Sequence, residues 1–182
     1  MTTIPNPASQ AVDVIFSPQA IAGRLESLAQ EIKAANIEPL LVVPILKGSF
    51  VFAADLIRAM HRAGMEPEVD FLTLSSYKKS RVSSGMVEIL RDLDLTVDRR
   101  NVLIVDDVLD SGRTLVFAKD LIAARGANSV RTCVLINKNV KRAVNVAADF
   151  YAFESEDMFF VGYGMDVAHR FRELPYVGRV AT

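Results

Sequence analysis

Only one cysteine, Cys133, occurs among the 182 residues, so the chain can close no internal disulfide and build no Cys-pair metal site. It lies in the apolar run Thr132–Ile136 and reads as a buried small hydrophobe rather than a nucleophile. An excess of charge is missing as well. The 21 basic and 22 acidic residues leave a formal net charge of −1, which argues against a surface that gathers polyphosphate and leaves room only for a local basic site. No stretch approaches the roughly 18 consecutive apolar residues of a membrane span. The first ten residues, MTTIPNPASQ, carry neither the basic n-region nor the apolar h-region of a signal peptide. These absences set the expectation of a cytoplasmic protein with no membrane and no nucleic-acid partner.

Several catalytic signatures are also lacking. The Walker pattern needs Gly-Lys-Ser/Thr, whereas Lys47-Gly48-Ser49 has the order reversed. Gly162-x-Gly164 has Val167 where a dinucleotide fingerprint needs its third glycine. There is no His-Glu-x-x-His and no Gly-x-Ser-x-Gly, which removes most support for a hydrolase. His61 and His169 stand outside any cluster and read as structural. No internal repeat or low-complexity tract is present.

What is present is an ordinary globular balance, 51 % hydrophobic and 24 % charged. Taking roughly 150 residues as a typical domain gives a single one. Ser17-Pro18 is a helix start, and Ile21, Leu25, Leu28 and Ile32 recur at helical spacing, so a helix is expected over 18–35. Leu40–Leu46 reads as a buried strand running into the turn Lys47-Gly48-Ser49. Phe50–Arg62 reads as a helix stopped near Gly64. Val69–Tyr77 and Met86–Leu90 are expected to form a hairpin around the polar break at 78–85. Strand Asn101–Asp106, helix Arg113–Arg125 ended by Gly126, and strand Val130–Asn137 make a βαβ unit. Asp149–Phe153 and Phe159–Tyr163 are further strand candidates. The pattern predicts an α/β fold with a mainly parallel, twisted sheet flanked by helices. Ligands of such sheets bind beyond the strands' carboxyl ends, which directs attention to the loops after Ile45, Val105 and Ile136.

The most informative stretch is Val102-Leu-Ile-Val-Asp106-Asp107-Val-Leu-Asp110-Ser111-Gly112-Arg113-Thr114-Leu115. An apolar strand delivers two adjacent carboxylates, and a short turn presents a third with two hydroxyls and a glycine at a helix start. Helix N-terminal amides carry partial positive charge, and a glycine lets an oxyanion approach the backbone, so the geometry suits a phosphate. Asp110 or Ser111 could equally be a plain helix cap. The Asp106–Asp107 pair favours the site, because neighbouring carboxylates at an apolar strand's end cost stability unless water, a cation or ligand hydroxyls receive them.

That stretch resembles the phosphoribosyl pyrophosphate signature of the type I phosphoribosyltransferases. Pro44-Ile-Leu-Lys47-Gly48, Ser75-Ser76-Tyr77, Phe159-Phe-Val161-Gly-Tyr-Gly-Met-Asp166 and Phe171-Arg172-Glu-Leu-Pro175 are similar to the 6-oxopurine branch, the hypoxanthine-guanine phosphoribosyltransferases. The resemblance covers about 40–175. It implies one domain over 1–182, with a core at about 37–150 and a small hood formed by the N-terminal segment and about 151–182. It further implies transfer of a phosphoribosyl group to N9 of hypoxanthine and/or guanine, with magnesium assisting and a homodimer or homotetramer as the assembly.

By the same resemblance, Asp106 and Asp107 would hold the ribose hydroxyls directly or through magnesium, and Asp110 would face the purine N7 as general base or acid. Ser111, Gly112, Arg113 and Thr114 would hold the 5′-phosphate. Lys138 would donate to the purine O6, Phe159 would stack on the base and the Val161 backbone would read its edge. Asp166 would bind a second magnesium, and Arg172 with the Lys47-Gly48 amides would bind pyrophosphate. Ser76 and Tyr77 would open a lid over 76–86, in which Lys78, Lys79 and Arg81 read as solvated charge. The resemblance also implies a non-proline cis peptide at Leu46-Lys47. Without it, Lys138 reads as a surface lysine, and at least one of Phe159 and Phe160 as core. This chain carries aspartate at 106 where many relatives carry glutamate, the Arg113 position varies, and Lys141–Ala148 holds no motif.

Two other readings compete with this one. A regulator that keeps this fold and binds the phosphoribosyl donor as a signal would normally add a DNA-binding helix pair or a basic RNA-binding face, and neither is evident. Enzymes of the same fold acting on adenine, orotate or uracil are disfavoured by Lys138 and by the Phe159–Asp166 segment.

Overall fold

The computed structural model describes residues 12–76 and 87–180. The elements run β1 (Val12–Phe16), α1 (Pro18–Ala34), β2 (Leu40–Leu46), α2 (Phe50–Arg62), β3 (Glu68–Val69), β4 (Leu72–Ser76), β5 (Val87–Arg91), β6 (Asn101–Leu109), α3 (Arg113–Ala124), β7 (Ser129–Lys138), β8 (Phe150–Ser155) and β9 (Val177–Val180). Seven strands form one sheet in the order β5-β4-β2-β6-β7-β8, with β3 paired to β2. Every pair in it is parallel except the β4–β5 hairpin.

Alternation along the buried strands sorts their side chains onto two faces. Leu40, Val42, Leu103, Val105 and Cys133 face α1 and α2, while Leu41, Val43, Val102, Ile104 and Val134 face α3. A strand buried on both faces must be apolar throughout, which is why β2, β6 and β7 read as continuous runs. Each fully buried Leu, Ile or Val contributes roughly 1.5–3 kcal/mol. Cys133 belongs to this core, and burial pushes its thiol well above the ordinary range, as befits a packing residue. The Ser17 hydroxyl accepts the Ala20 N–H at 3.2 Å and starts α1.

Chain direction changes at the centre of the sheet. From β2 the chain crosses to β3 and β4 on one side, whereas β6 lies on the other and continues to β7 and β8. A crevice therefore opens beyond the carboxyl ends of β2 and β6. No helix among the described residues is long and apolar enough to cross a membrane.

The structure departs from the sequence reading in four places. The strand expected over Val69–Tyr77 is broken in two, because the buried Asp70 carboxylate accepts the N–H groups of Phe71, Asp94 and Leu95, each at 2.8 Å, and bends the chain. Strand β6 runs on to Leu109 rather than ending at Asp106, since its ladder with β7 continues to Leu109↔Asn137. Phe159–Tyr163 is no strand. It makes only isolated bridges, and left-handed conformations at Gly162, Tyr163 and Gly164 turn the chain away. The antiparallel pair β1–β9 joins the two ends of the described chain, a pairing that no local pattern in the sequence announces.

Candidate active site

The ladder between β2 and β6 stops at Pro44↔Val105, four residues before β6 ends. Asp106 and Asp107 thus sit where β6 has lost one neighbour, at the rim of the crevice. Across that opening stands the turn after β2, with the cis peptide Leu46-Lys47 and the Ser49 hydroxyl donating to the Ile45 carbonyl. A Cβ on Gly48 would overlap the Asp107 carboxylate, so only glycine lets the turn approach so closely. The Gly48 carbonyl in turn packs on Gly164, where a side chain would again collide. Two segments from opposite ends of the sequence are thereby held against β6.

Beyond Leu109 the chain enters the candidate phosphate loop. Gly112, at φ +80°, is the N-cap residue of α3, and no side chain caps the helix. Neither Asp110 nor Ser111 takes the plain capping role, so the first-turn amides around Arg113 and Thr114 stay open to an anion.

Asp107, Asp110, Lys138, Phe159 and Asp166 line one cavity of about 220 Å³, together with Val108, Met158, Phe160 and Met165. Lys138 closes β7 and is only 7 % exposed. Its ammonium donates to Asp157 Oδ1 at 3.1 Å and to Asp110 Oδ2 at 3.4 Å. It lies 6.0 Å from the Phe160 ring centroid. The surface-lysine reading therefore fails. The two phenylalanines divide between core and surface: Phe160 is 5 % exposed and part of the core, while Phe159 is 59 % exposed and offers a free ring face.

Not every expected residue arrives at the cavity. The Val161 N–H donates to the Gly178 carbonyl at 2.9 Å and its own carbonyl accepts the Gly178 N–H at 2.8 Å. Its side chain is fully buried, so Val161 supports the hood and does not line the cavity. Phe160, one residue earlier, does. Arg172 stands behind Asp166, forming an ion pair with Asp166 Oδ1 at 2.7 Å and donating to the Gly164 carbonyl at 2.6 Å. Asp166 Oδ2 accepts the His169 N–H at 2.7 Å. Lys47 is exposed beside Gly48. Tyr77 and the rest of the expected lid lie outside the described residues, and Ser76 is placed only as the last residue of β4. Sequence reasoning missed Asp157, whose acidic run Glu154-Ser-Glu-Asp157 reads as a solvated face, and it missed Met158 and Met165.

Residues 11–168 match the family model for the phosphoribosyl transferase domain. The hypoxanthine phosphoribosyltransferase of Buchnera aphidicola subsp. Schizaphis graminum is 41% identical over 172 residues, 93% of this chain and 96% of that protein. The hypoxanthine-guanine phosphoribosyltransferase of Bacillus subtilis is 40% identical over 166 residues, 91% of each. The chain belongs to the hypoxanthine-guanine phosphoribosyltransferases. Among solved structures, the hypoxanthine phosphoribosyltransferase of Trypanosoma cruzi in complex with its product IMP superposes with a TM-score of 0.86 at 30% identity, covering 95% of this chain and 94% of that one. The expected α/β architecture of type I phosphoribosyltransferases is thus the one adopted.

A phosphoribosyltransferase must manage the charge that its acidic pair imposes. Burial, and then the charge of Asp107, push the Asp106 carboxyl well above the ordinary range, and Asp107 is raised chiefly by burial. The donor set fits magnesium: two adjacent carboxylates with no sulfur or imidazole beside them, leaving other positions to water and substrate oxygens. Among the described residues no group of three or more potential metal-ligating side chains gathers.

The raised carboxyl also makes a stability prediction. An acid held more tightly in the folded state contributes stability below its unfolded pKa, and that contribution is lost as pH rises through the raised value. At neutral pH, burying these two carboxyl groups side by side therefore costs stability. Asp106→Asn should raise the melting temperature of the ligand-free protein at neutral pH, by about 2–4 °C per kcal/mol relieved. The gain should shrink as pH falls toward the ordinary carboxylate range. Thermal melts from pH 4 to 8 check this; a variant no more stable than wild type at pH 7.5 contradicts it.

Proposed function

We infer that this enzyme transfers the phosphoribosyl group of 5-phosphoribosyl 1-pyrophosphate to N9 of hypoxanthine and/or guanine, releasing pyrophosphate and giving inosine or guanosine monophosphate. The observation that carries the reading is the buried Lys138 ammonium presented between Asp110 and Asp157, with the free face of Phe159 lining the same cavity. An ammonium is a donor only, so it suits a purine bearing a carbonyl at position 6 and repels one bearing an amino group there. The base stacks on Phe159, with the Phe160 backbone, rather than that of Val161, along its edge.

In the reaction the bond from ribose C1 to the pyrophosphate oxygen breaks and the bond to N9 forms. Positive character grows on the sugar and negative charge on the leaving group, so the site must hold both and keep water out. Asp110 takes the proton from N7 as N9 attacks. Open α3 amides with Ser111, Gly112, Arg113 and Thr114 hold the 5′-phosphate, and Asp106 and Asp107 hold the ribose hydroxyls directly or around magnesium. Arg172 and the Lys47-Gly48 amides would bind the pyrophosphate, Asp166 would bind a second magnesium, and Ser76 and Tyr77 would act from the expected lid. Magnesium, when bound, supplies neutralisation of the pyrophosphate charge. The same reading carries a single domain with a hood built on β1 and β9, a cytoplasmic location and a homodimeric or homotetrameric assembly.

The test is an assay of each base with phosphoribosyl pyrophosphate and magnesium. Nucleotide should form from hypoxanthine or guanine and not from adenine, orotate or uracil. Product from adenine with none from hypoxanthine would overturn the substrate assignment. Tight donor binding without turnover of any base would favour the regulator.

A further inference from the structure

The turn after β7 carries no motif, yet it is packed between the two halves of the candidate site. Arg142 folds back along its own loop. One terminal nitrogen donates to the Val146 carbonyl at 3.0 Å, and the other to Asn137 Oδ1 at 2.6 Å and the Lys138 carbonyl at 3.1 Å. The fork therefore grips the end of β7 on the very residue whose ammonium enters the cavity. Its Nε is buried with no hydrogen-bond partner, so this guanidinium has given up water to hold that arrangement. On the far side of the same turn, the Ala143 N–H donates to the Ser111 carbonyl at 3.2 Å. Val144 and Val146 lie against Gly112 so closely that a Cβ there would run into both.

We propose that Arg142 is a positioning residue, which by fixing the turn between β7 and β8 holds Lys138 and the Ser111-Gly112 loop at one separation. A single preassembled frame then reads the base edge and the 5′-phosphate of the same nucleotide. The inference rests on the phosphoribosyl-transfer reading. A planar fork can serve acceptors on two sides of the loop at once, whereas a lysine ammonium on a similar stem is a point donor and reaches one side. Small displacements of substrate-holding groups carry large rate costs, so loosening the frame should register in binding.

The experiment compares Arg142→Lys and Arg142→Gln with wild type, measuring kcat, KM for hypoxanthine and for phosphoribosyl pyrophosphate, the affinity for inosine monophosphate and the melting temperature. Both KM values should rise about tenfold and nucleotide affinity should fall by a similar factor, with kcat within about threefold, because Asp110 is untouched. A purely structural role would remove active molecules, lowering kcat and leaving both KM values as they were; that result overturns the proposal. So does a rise in the hypoxanthine KM alone, since the coupling to the phosphate loop would then be absent. Should both Arg142 variants fail to fold, Val146→Ala loosens the contact on Gly112 without removing the fork. It should weaken nucleotide binding and raise the donor's KM together, and unchanged values count against the frame. Wild-type enzyme inactive on every 6-oxopurine strikes the functional reading itself, while active wild type with unchanged variant KM values strikes only this inference.

Discussion

Replacing Asp110 with asparagine should lower kcat by roughly 10²–10⁴-fold, the range expected for a lost general base, while donor affinity stays within about threefold of wild type. Asparagine keeps the shape of the side chain and an oxygen that can accept from Lys138, 3.4 Å away. What it loses is the capacity to take a proton. On the proposed reading the donor's phosphates sit elsewhere, at the uncapped start of α3 and on the Gly48 side of β6, so its binding should have no direct stake in that proton. Because the Asp110 side chain is 60% exposed, the fold has little stake in it either. Steady-state kinetics beside calorimetric titration of the donor decide the matter: equal losses in kcat and donor affinity would make Asp110 a binding group and not a base.

Much of this arrangement can be read from the sequence because local chemistry sets it. Continuous apolar runs bounded by turn residues announce β2, β6 and β7, and Ser17-Pro18 announces α1. A glycine after Asp110-Ser111 marks the loop where a side chain would strike Val144 and Val146. Two adjacent phenylalanines say that at least one of Phe159 and Phe160 is core, and Phe160 is. What stays hidden depends on partners distant in the sequence. Strands β1 and β9 are short and acquire meaning only from each other. The break at Asp70 comes from the amides of Asp94 and Leu95, which no window around residue 70 contains. The resemblance assigns the Val161 backbone to the base edge, yet that backbone is bonded to Gly178, and Lys138 reads as a surface lysine until β7 is placed in the sheet. Asp157 and Arg142 are ordinary surface letters in the sequence and acquire roles only through Lys138 and the turn it begins.

Lys138 carries the second large effect. Among the described residues lining the cavity Lys138 is the one cation, a donor suited to a carbonyl and not to an amino group at purine position 6, and it is desolvated, so on the proposed reading a bound base feels its loss in full. Removing one member of a buried charge-assisted contact costs about 3 kcal/mol, so kcat/KM for hypoxanthine should fall roughly 10²-fold in Lys138→Gln. Glutamine is the informative substitution. It retains most of the stem packed near Phe160, and its amide can turn a carbonyl toward an incoming amino group. The two carboxylates left behind, on Asp110 and Asp157, are 60% and 75% exposed and can be satisfied by water. The variant should therefore melt close to wild type. Adenine turnover, expected to be absent in wild type, should become measurable, since the repulsion proposed to exclude it has gone. Kinetics on both bases, with a melt of each protein, separate the alternatives. An unchanged hypoxanthine kcat/KM in a folded Lys138→Gln enzyme would mean that the base lies elsewhere than against β7. A large loss on hypoxanthine with no adenine activity would place the exclusion of adenine in the shape of the cavity around Phe159 and Met158, with Lys138 left to supply affinity.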